Sequence, residues 1–168
     1  MKKLVAYFSR AGQNHTANGL QVLEKGNTEV VAEMIAKHTG CDVFKIDLIT
    51  PYSEDYKECV GQAVADWKGG VRPAIHEFTL DINEYDTIYL GYPNYCGTMP
   101  MPVWTFLESQ DLSGKNILPF CTHEGSGPAN SVEDLKKLCP NSIVADPFDL
   151  KGSTVKESED KVVEWLNK

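Results

Sequence analysis

The sequence predicts an α/β protein with a mainly parallel sheet and helices on both faces. Strand-like and helix-like segments alternate from end to end, five of each, separated by turn-forming residues. Right-handed crossovers between parallel strands then place helices on both sides of the sheet. The 168 residues, 42% hydrophobic and 24% charged, suit one domain over 1–168 with a single buried sheet.

The first strand is the apolar run Lys3–Phe8, ending at Ser9-Arg10-Ala11-Gly12. Residues 13–25 are polar and without a clean period, which reads as a loop insertion. After Gly26-Asn27-Thr28, the residues Val30, Val31, Met34 and Ile35 recur at helical spacing, and Gly40 is placed to cap that helix. In Asp42–Leu48, Phe44, Ile46 and Leu48 alternate as one face of a half-buried or edge strand.

Ser53 is expected to cap a second helix whose apolar stripe is Tyr56, Val60, Val64 and Trp67, stopped by Gly69-Gly70. The connection 71–85 has no period and is expected to cover a sheet edge or contact a partner. Asp86–Gly91 is the third strand, and Pro100 and Pro102 suit the first turn of a helix through Val103, Phe106 and Leu107. Asn116–Cys121 is the fourth strand, with Pro119 implying a bulge or an early end, because proline donates nothing to a ladder. Ser131 with Asp134 resembles a capping box ahead of Leu135 and Leu138. Ile143–Leu150 is a last strand, placed at an edge where Pro147 is tolerated. Thr154 with Glu157 then caps a C-terminal helix carrying Val162, Val163 and Leu166.

No apolar run approaches the roughly 20 residues of a membrane span, and the basic start Met1-Lys2-Lys3 precedes too short an apolar stretch for a signal core, so a cytoplasmic, non-membrane protein is expected. The formal charge of −8, without a basic patch, argues against nucleic-acid binding. The five cysteines contain no Cys-x-x-Cys pair, which speaks for reduced, mostly buried thiols rather than a zinc or dithiol site.

In open α/β sheets ligands bind beyond the carboxyl ends of the strands, which selects three loops. Ser9-Arg10-Ala11 with Gly26-Asn27-Thr28 offers hydroxyls, an amide, a guanidinium and backbone N–H groups at a helix start, which is what a phosphate requires. Asn27 or Thr28 serving only as a helix cap is the plainer alternative. Walker and Gly-x-Gly-x-x-Gly motifs are missing. Pro93-Asn94-Tyr95-Cys96-Gly97 joins an aromatic, able to stack on a planar ring, to a permissive glycine. Thr122-His123-Glu124-Gly125-Ser126-Gly127 would let backbone approach a ligand closely. His123-Glu124 offers the groups of an acid–base pair, but adjacent side chains usually point apart, so both are expected to lie in solvent, and no nucleophile–base–orienter set is visible.

Tyr7-Phe8-Ser9-Arg10, Gly26-Asn27-Thr28, Gly91-Tyr92-Pro93, Gly97-Thr98-Met99-Pro100-Met101-Pro102 and Phe120–Gly127 follow in the order in which the flavodoxin family carries similar blocks. Over nearly its whole length the chain resembles a branch of that family with an extended phosphate-binding loop. The resemblance implies a three-layer sandwich around a five-stranded parallel sheet of order 2-1-3-4-5, for which flavodoxin is itself the standard instance. It implies a non-covalent FMN whose phosphate meets Ser9, Arg10, Asn27 and Thr28 and whose ring lies between Pro93–Gly97 and Thr122–Gly127. In the family, a peptide flip in the second loop offers a carbonyl to the reduced ring, and Gly97 and its neighbours are the matching stretch. Relatives tend to carry tryptophan near Tyr95 and Cys96, so one ring face here is less covered.

The implied function is electron transfer between redox partner proteins, a reductase and an acceptor, by a monomer or weak dimer. The alternative is an FMN-dependent NAD(P)H:quinone or small-molecule reductase. The acidic surface would disfavour anionic reduced flavin and steer the protein to basic partners.

Overall fold

Tyr7 and Leu4 mark the axis of the molecule, since β1 (Lys2–Tyr7) lies inside the sheet with its side chains alternating between two cores. The computed structural model describes all residues, Met1–Lys168. Parallel partners flank β1 on both sides: β4 (Asp42–Lys45) and β5 (Tyr85–Pro93). Beyond β5 lies β6 (Asn116–His123), and β7 (Ile143–Val144) and β8 (Phe148–Lys151) share its outer edge. The order β4-β1-β5-β6-β7/β8 is the expected 2-1-3-4-5 once the hairpin described below is set aside.

One core holds Leu4, Ala6, Ile46, Ile88, Leu90 and Ile117 under α3 (Met101–Ser109) and α4 (Ser131–Leu138). The other holds Val5, Tyr89, Phe120 and Leu150 under α1 (Asn27–Thr39) and α5 (Glu159–Leu166). The three layers are thus helices, parallel sheet, helices.

Four details depart from the sequence reading. Residues 13–25 are largely a β-hairpin, β2 (Gly12–Thr16) against β3 (Gly19–Leu23), not a loop. Asn18 N–H bonds to Thr16 Oγ1, and Gly19 takes φ +86° to close the turn. Helix α2 (Tyr56–Gly69) turns Cys59 and Ala63 inward and leaves Val60 and Trp67 exposed, so the expected stripe is rotated. It packs on α3 and on β2 rather than squarely on the sheet, and those neighbours, not the strongest apolar periodicity, set its buried face.

The caps differ as well. Asp55, not Ser53, accepts from Glu58 N–H at the start of α2. Ser131 is the first residue of α4 and bonds Tyr92, and a 3₁₀ turn over Gly152–Glu157 precedes α5. Finally, β6 runs straight through Pro119, and the neighbouring strand breaks instead. Ala145 N–H bonds to the Ile117 carbonyl, so the odd positions of β6 face β7 and β8, and the Pro119 nitrogen falls opposite the gap at 145–147.

The connection 71–85 covers a sheet edge, as the sequence allowed. His76 N–H bonds to Asp47 O and Ile49 N–H to Ala74 O, while Phe78 packs edge-on to Phe44, 5.0 Å between centroids. All five cysteines are free; Cys59, Cys121 and Cys139 are buried, and Cys96 is exposed. No helix is long and apolar enough to cross a membrane.

Candidate functional site

Because β1, β5 and β6 are neighbours in the sheet, the loops at their carboxyl ends are brought together. Helix α1 begins at Gly26 without a side-chain cap, so its first N–H groups need other partners. Ser9 Oγ accepts from Glu29 N–H at 3.1 Å, while the Asn27 and Thr28 N–H groups have no partner in the protein. A Cβ on Gly26 would overlap Ser9 Oγ and lie 2.7 Å from the Arg10 carbonyl oxygen, so only glycine lets the helix start sit this close to the end of β1. The result is a concave set of donors, Ser9 O–H included, at the positive end of a helix.

Thr28 ties this loop to the third one through a buried 2.8 Å bond between its hydroxyl and that of Thr122. Asn94 ties the second loop to the third: its Nδ2 donates to Ser126 Oγ and to Gly127 O, and its Oδ1 accepts from Gly97 N–H at 3.0 Å. Pro93 ends β5 and hands the chain to Asn94, whose N–H bonds to Thr122 O. Tyr95 and Thr98 exchange two 3.0 Å backbone bonds around Cys96 (φ +58°) and Gly97 (φ +77°). Positive φ at both central positions makes this a type I′ turn, with a cysteine where glycine or asparagine is usual. Gly97 O accepts from Asn130 N–H, which leaves the Cys96 carbonyl as the turn's unpartnered acceptor.

The remaining expected residues have other engagements. The Tyr95 ring does not face the crevice between the loops; it packs edge-on to Phe8 at 5.9 Å, and burial pushes its phenol pKa well up. Arg10 donates to the carbonyls of Gln13, Ser53 (2.9 Å) and Glu54 (2.7 Å), stapling the hairpin stem to the segment ahead of α2. His123 is turned to β8, its Nε2 2.6 Å from Asp149 Oδ2. Its Nδ1 accepts from Gly125 N–H, which fixes the proton on Nε2 and shapes the third loop. Ala11 is exposed, and Gly125 (φ +127°) and Gly127 (φ +66°) carry backbone conformations only glycine holds without strain.

Residues missed by the sequence reading lie here too. Glu124 has one carboxylate oxygen, Oε1, buried without a partner. Its other oxygen accepts from Ser153 O–H. A Cβ on Gly152 would overlap Asn27 Nδ2 and lie 2.6 Å from Glu124 Oε1, so Gly152 makes room for both side chains. Thr98 O–H donates to Asp134 at 2.6 Å, anchoring the second loop to α4. The resemblance blocks included Glu124 and Thr98 but gave them no role; Gly152, far along the chain, left no local signal.

A family profile described as flavodoxin matches residues 2–168. Among solved structures, a candidate flavoprotein from Bacteroides uniformis ATCC 8492 is 27% identical with a TM-score of 0.75, covering 99% of this chain and 98% of that one. One from Bacteroides eggerthii DSM 20697 is 28% identical with a TM-score of 0.72, covering 96% and 98%. A flavoprotein from Lactobacillus acidophilus NCFM, solved in complex with FMN, is 18% identical with a TM-score of 0.68, covering 96% and 98%, and shares the fold. No curated protein matches the chain in sequence.

Proposed function

Since the chain belongs to the flavodoxin family, we propose that it holds FMN non-covalently and carries electrons between redox proteins. One observation carries this reading: an uncapped helix start with two free N–H groups is hydrogen-bonded, through Thr28 and Thr122, to loops rich in glycine at the switch point of the sheet. The residues fit the group. Asn27 N–H, Thr28 N–H and the Ser9 hydroxyl would hold the phosphate, in a cradle that a Cβ at position 26 would fill. Pro93–Gly97 and Thr122–Gly127 would flank the ring.

FMN, when bound, supplies reversible one- and two-electron transfer. The protein's part is to orient and tune. Asn94 braces both ring loops through three bonds, and the Cys96 carbonyl is the acceptor the second loop offers to a ring N–H. Arg10, pinned on three carbonyls, shapes the loop more than it reaches the phosphate. No general acid or base is needed for such a task.

Adding FMN to the purified protein and titrating it with reductant tests the proposal. A saturable yellow complex, reduced by a flavodoxin reductase and reoxidised by an acceptor protein, is expected; a protein that never takes up FMN overturns it. A second reading, a reductase acting directly with NAD(P)H on a small molecule, is favoured by the small, exposed Cys96 at the turn, where a bulky aromatic cover would narrow the access to the ring. Bleaching of the bound flavin by NADPH alone would select that reading.

A further inference from the structure

A second cavity, of about 340 Å³, lies on the far side of the second loop from the third one. None of Thr122–Gly127 lines it; its walls are α2, the Asn94–Cys96 turn and the stem of the hairpin. The α2 wall is apolar, with Val60, Ala63 and Val64, and Tyr56 and Tyr95 add two rings. This size and lining suit a single small aromatic molecule.

The charge in the lining is one-sided. No aspartate, glutamate, lysine or histidine borders the cavity, and Arg10 is its one charged residue. Burial pushes both the Cys59 thiol and the Tyr95 phenol up, so neither supplies an anion near neutral pH. Arg10 takes part in none of the protein's ion pairs. Three backbone carbonyls hold it in place but contribute only partial charges, and a guanidinium has five N–H donors, so two are left for the Cys59 thiol beside it and for a ligand. Arg10 also acts on the Cys59 thiol in the wall, lowering its pKa against the larger effect of burial, which places the cation at the cavity itself.

From this juxtaposition of an apolar, aromatic-walled cavity and a fixed guanidinium without a counter-ion, we infer that the cavity binds a small aromatic carboxylate. The ring would lie against Tyr56, Val60 and Tyr95, and the carboxylate would take the remaining Arg10 donor, with the Asn14 and Asn94 side chains nearby. The site shares the Asn94–Cys96 turn with the crevice assigned to FMN, so it rests on that reading only for its relevance to redox chemistry, not for its existence.

The test uses 4-hydroxybenzoate as probe, with benzyl alcohol and benzylamine as neutral and cationic counterparts, followed by backbone amide shifts in the protein with and without FMN. Saturable shifts confined to α2, Asn14 and the Cys96 turn are expected, with the carboxylate at least about tenfold tighter than benzylamine. Ala63→Leu, which fills the cavity, should remove the binding and leave FMN uptake unchanged; Val60→Trp at the rim is the second variant should the first not fold. Equal affinity for benzylamine, shifts elsewhere, or displacement of the probe by FMN would overturn the inference, the last showing the cavity to be the ring's own seat. Probe binding in a protein that takes up no FMN would sustain this site and reject the proposed cofactor.

Discussion

Gly26 carries the steepest residue-level consequence. Its replacement by alanine forces a Cβ into Ser9 Oγ and the Arg10 carbonyl; the serine hydroxyl can rotate away only by giving up its bond to Glu29 N–H, and the Arg10 backbone must shift. Gly26→Ala is expected to weaken FMN binding by at least tenfold and to cost about 1–3 kcal/mol of stability, the range for overpacking, checked by fluorescence titration and urea unfolding. Cys96 is the opposite case. At φ +58° it strains the type I′ turn, so Cys96→Asn should raise stability, by about 1 kcal/mol or less, in the same urea assay.

Cys121 and Cys139 set an alkaline limit at the same scale. Burial pushes their pKa values up to about 12 and about 11 from an ordinary 9.0. Above pH 9 the unfolded chain loses these protons first and the folded one keeps them, so stability falls as pH rises from 9 toward 12. Unfolding free energy measured at pH 8 and pH 10.5 should show the drop, and Cys139→Ala should shrink it.

Among the elements, the hairpin was the least legible in the sequence. Its turn, Asn18-Gly19, is a hairpin signal, yet the flanking residues Gln13, Asn14, His15 and Thr16 are polar on both faces, so no alternation marks a strand. Helix α2 was legible as a helix and misread in rotation, because its buried face answers to α3 and β2, neighbours that periodicity does not reveal. By contrast the segment 42–48 was readable, although β4 itself ends at Lys45: Phe44 in the strand and Ile46 and Leu48 just beyond it all reach one core. The hairpin contributes to neither core, and its ties are Arg10 to Gln13, Gln13 to Tyr56 N–H and the His15–Tyr56 ring contact. Replacing residues 13–24 by a short Gly-Ser link should therefore leave the unfolding midpoint in urea nearly unchanged and lower FMN affinity, since the stem would lose the Arg10–Gln13 bond and the Asn14 bond to the Arg10 carbonyl.

The whole molecule was legible because the five strand–helix units follow one another in chain order and parallel sheets admit few arrangements. The candidate site was legible as three converging loops, and less so as contacts: Ser9, Thr28, Asn94 and Thr122 lie in bonded loops, whereas Tyr95, Arg10 and His123 turn to partners brought in by α2, the hairpin and β8. At this scale the charge of −8 also has a measurable effect. Electron transfer to a basic partner should slow steeply as ionic strength rises from about 0.01 M to about 0.5 M, while a small neutral oxidant should react at a constant rate.

The sheet divides the interior into two cores that are unequal, 19 buried residues on one side and 10 on the other. The smaller is closed by an eight-residue α5 whose Trp165 stacks on Phe148 at 4.8 Å and whose Glu159 pairs with Lys37 and His38 of α1. Amide hydrogens of α5 and α1 should accordingly exchange with solvent earlier than those of α3, β5 and β6, as one cooperative unit. On the proposed seating of FMN, α1 would hold the phosphate and the larger core would brace the ring loops, so a departing cofactor would let go by its phosphate first.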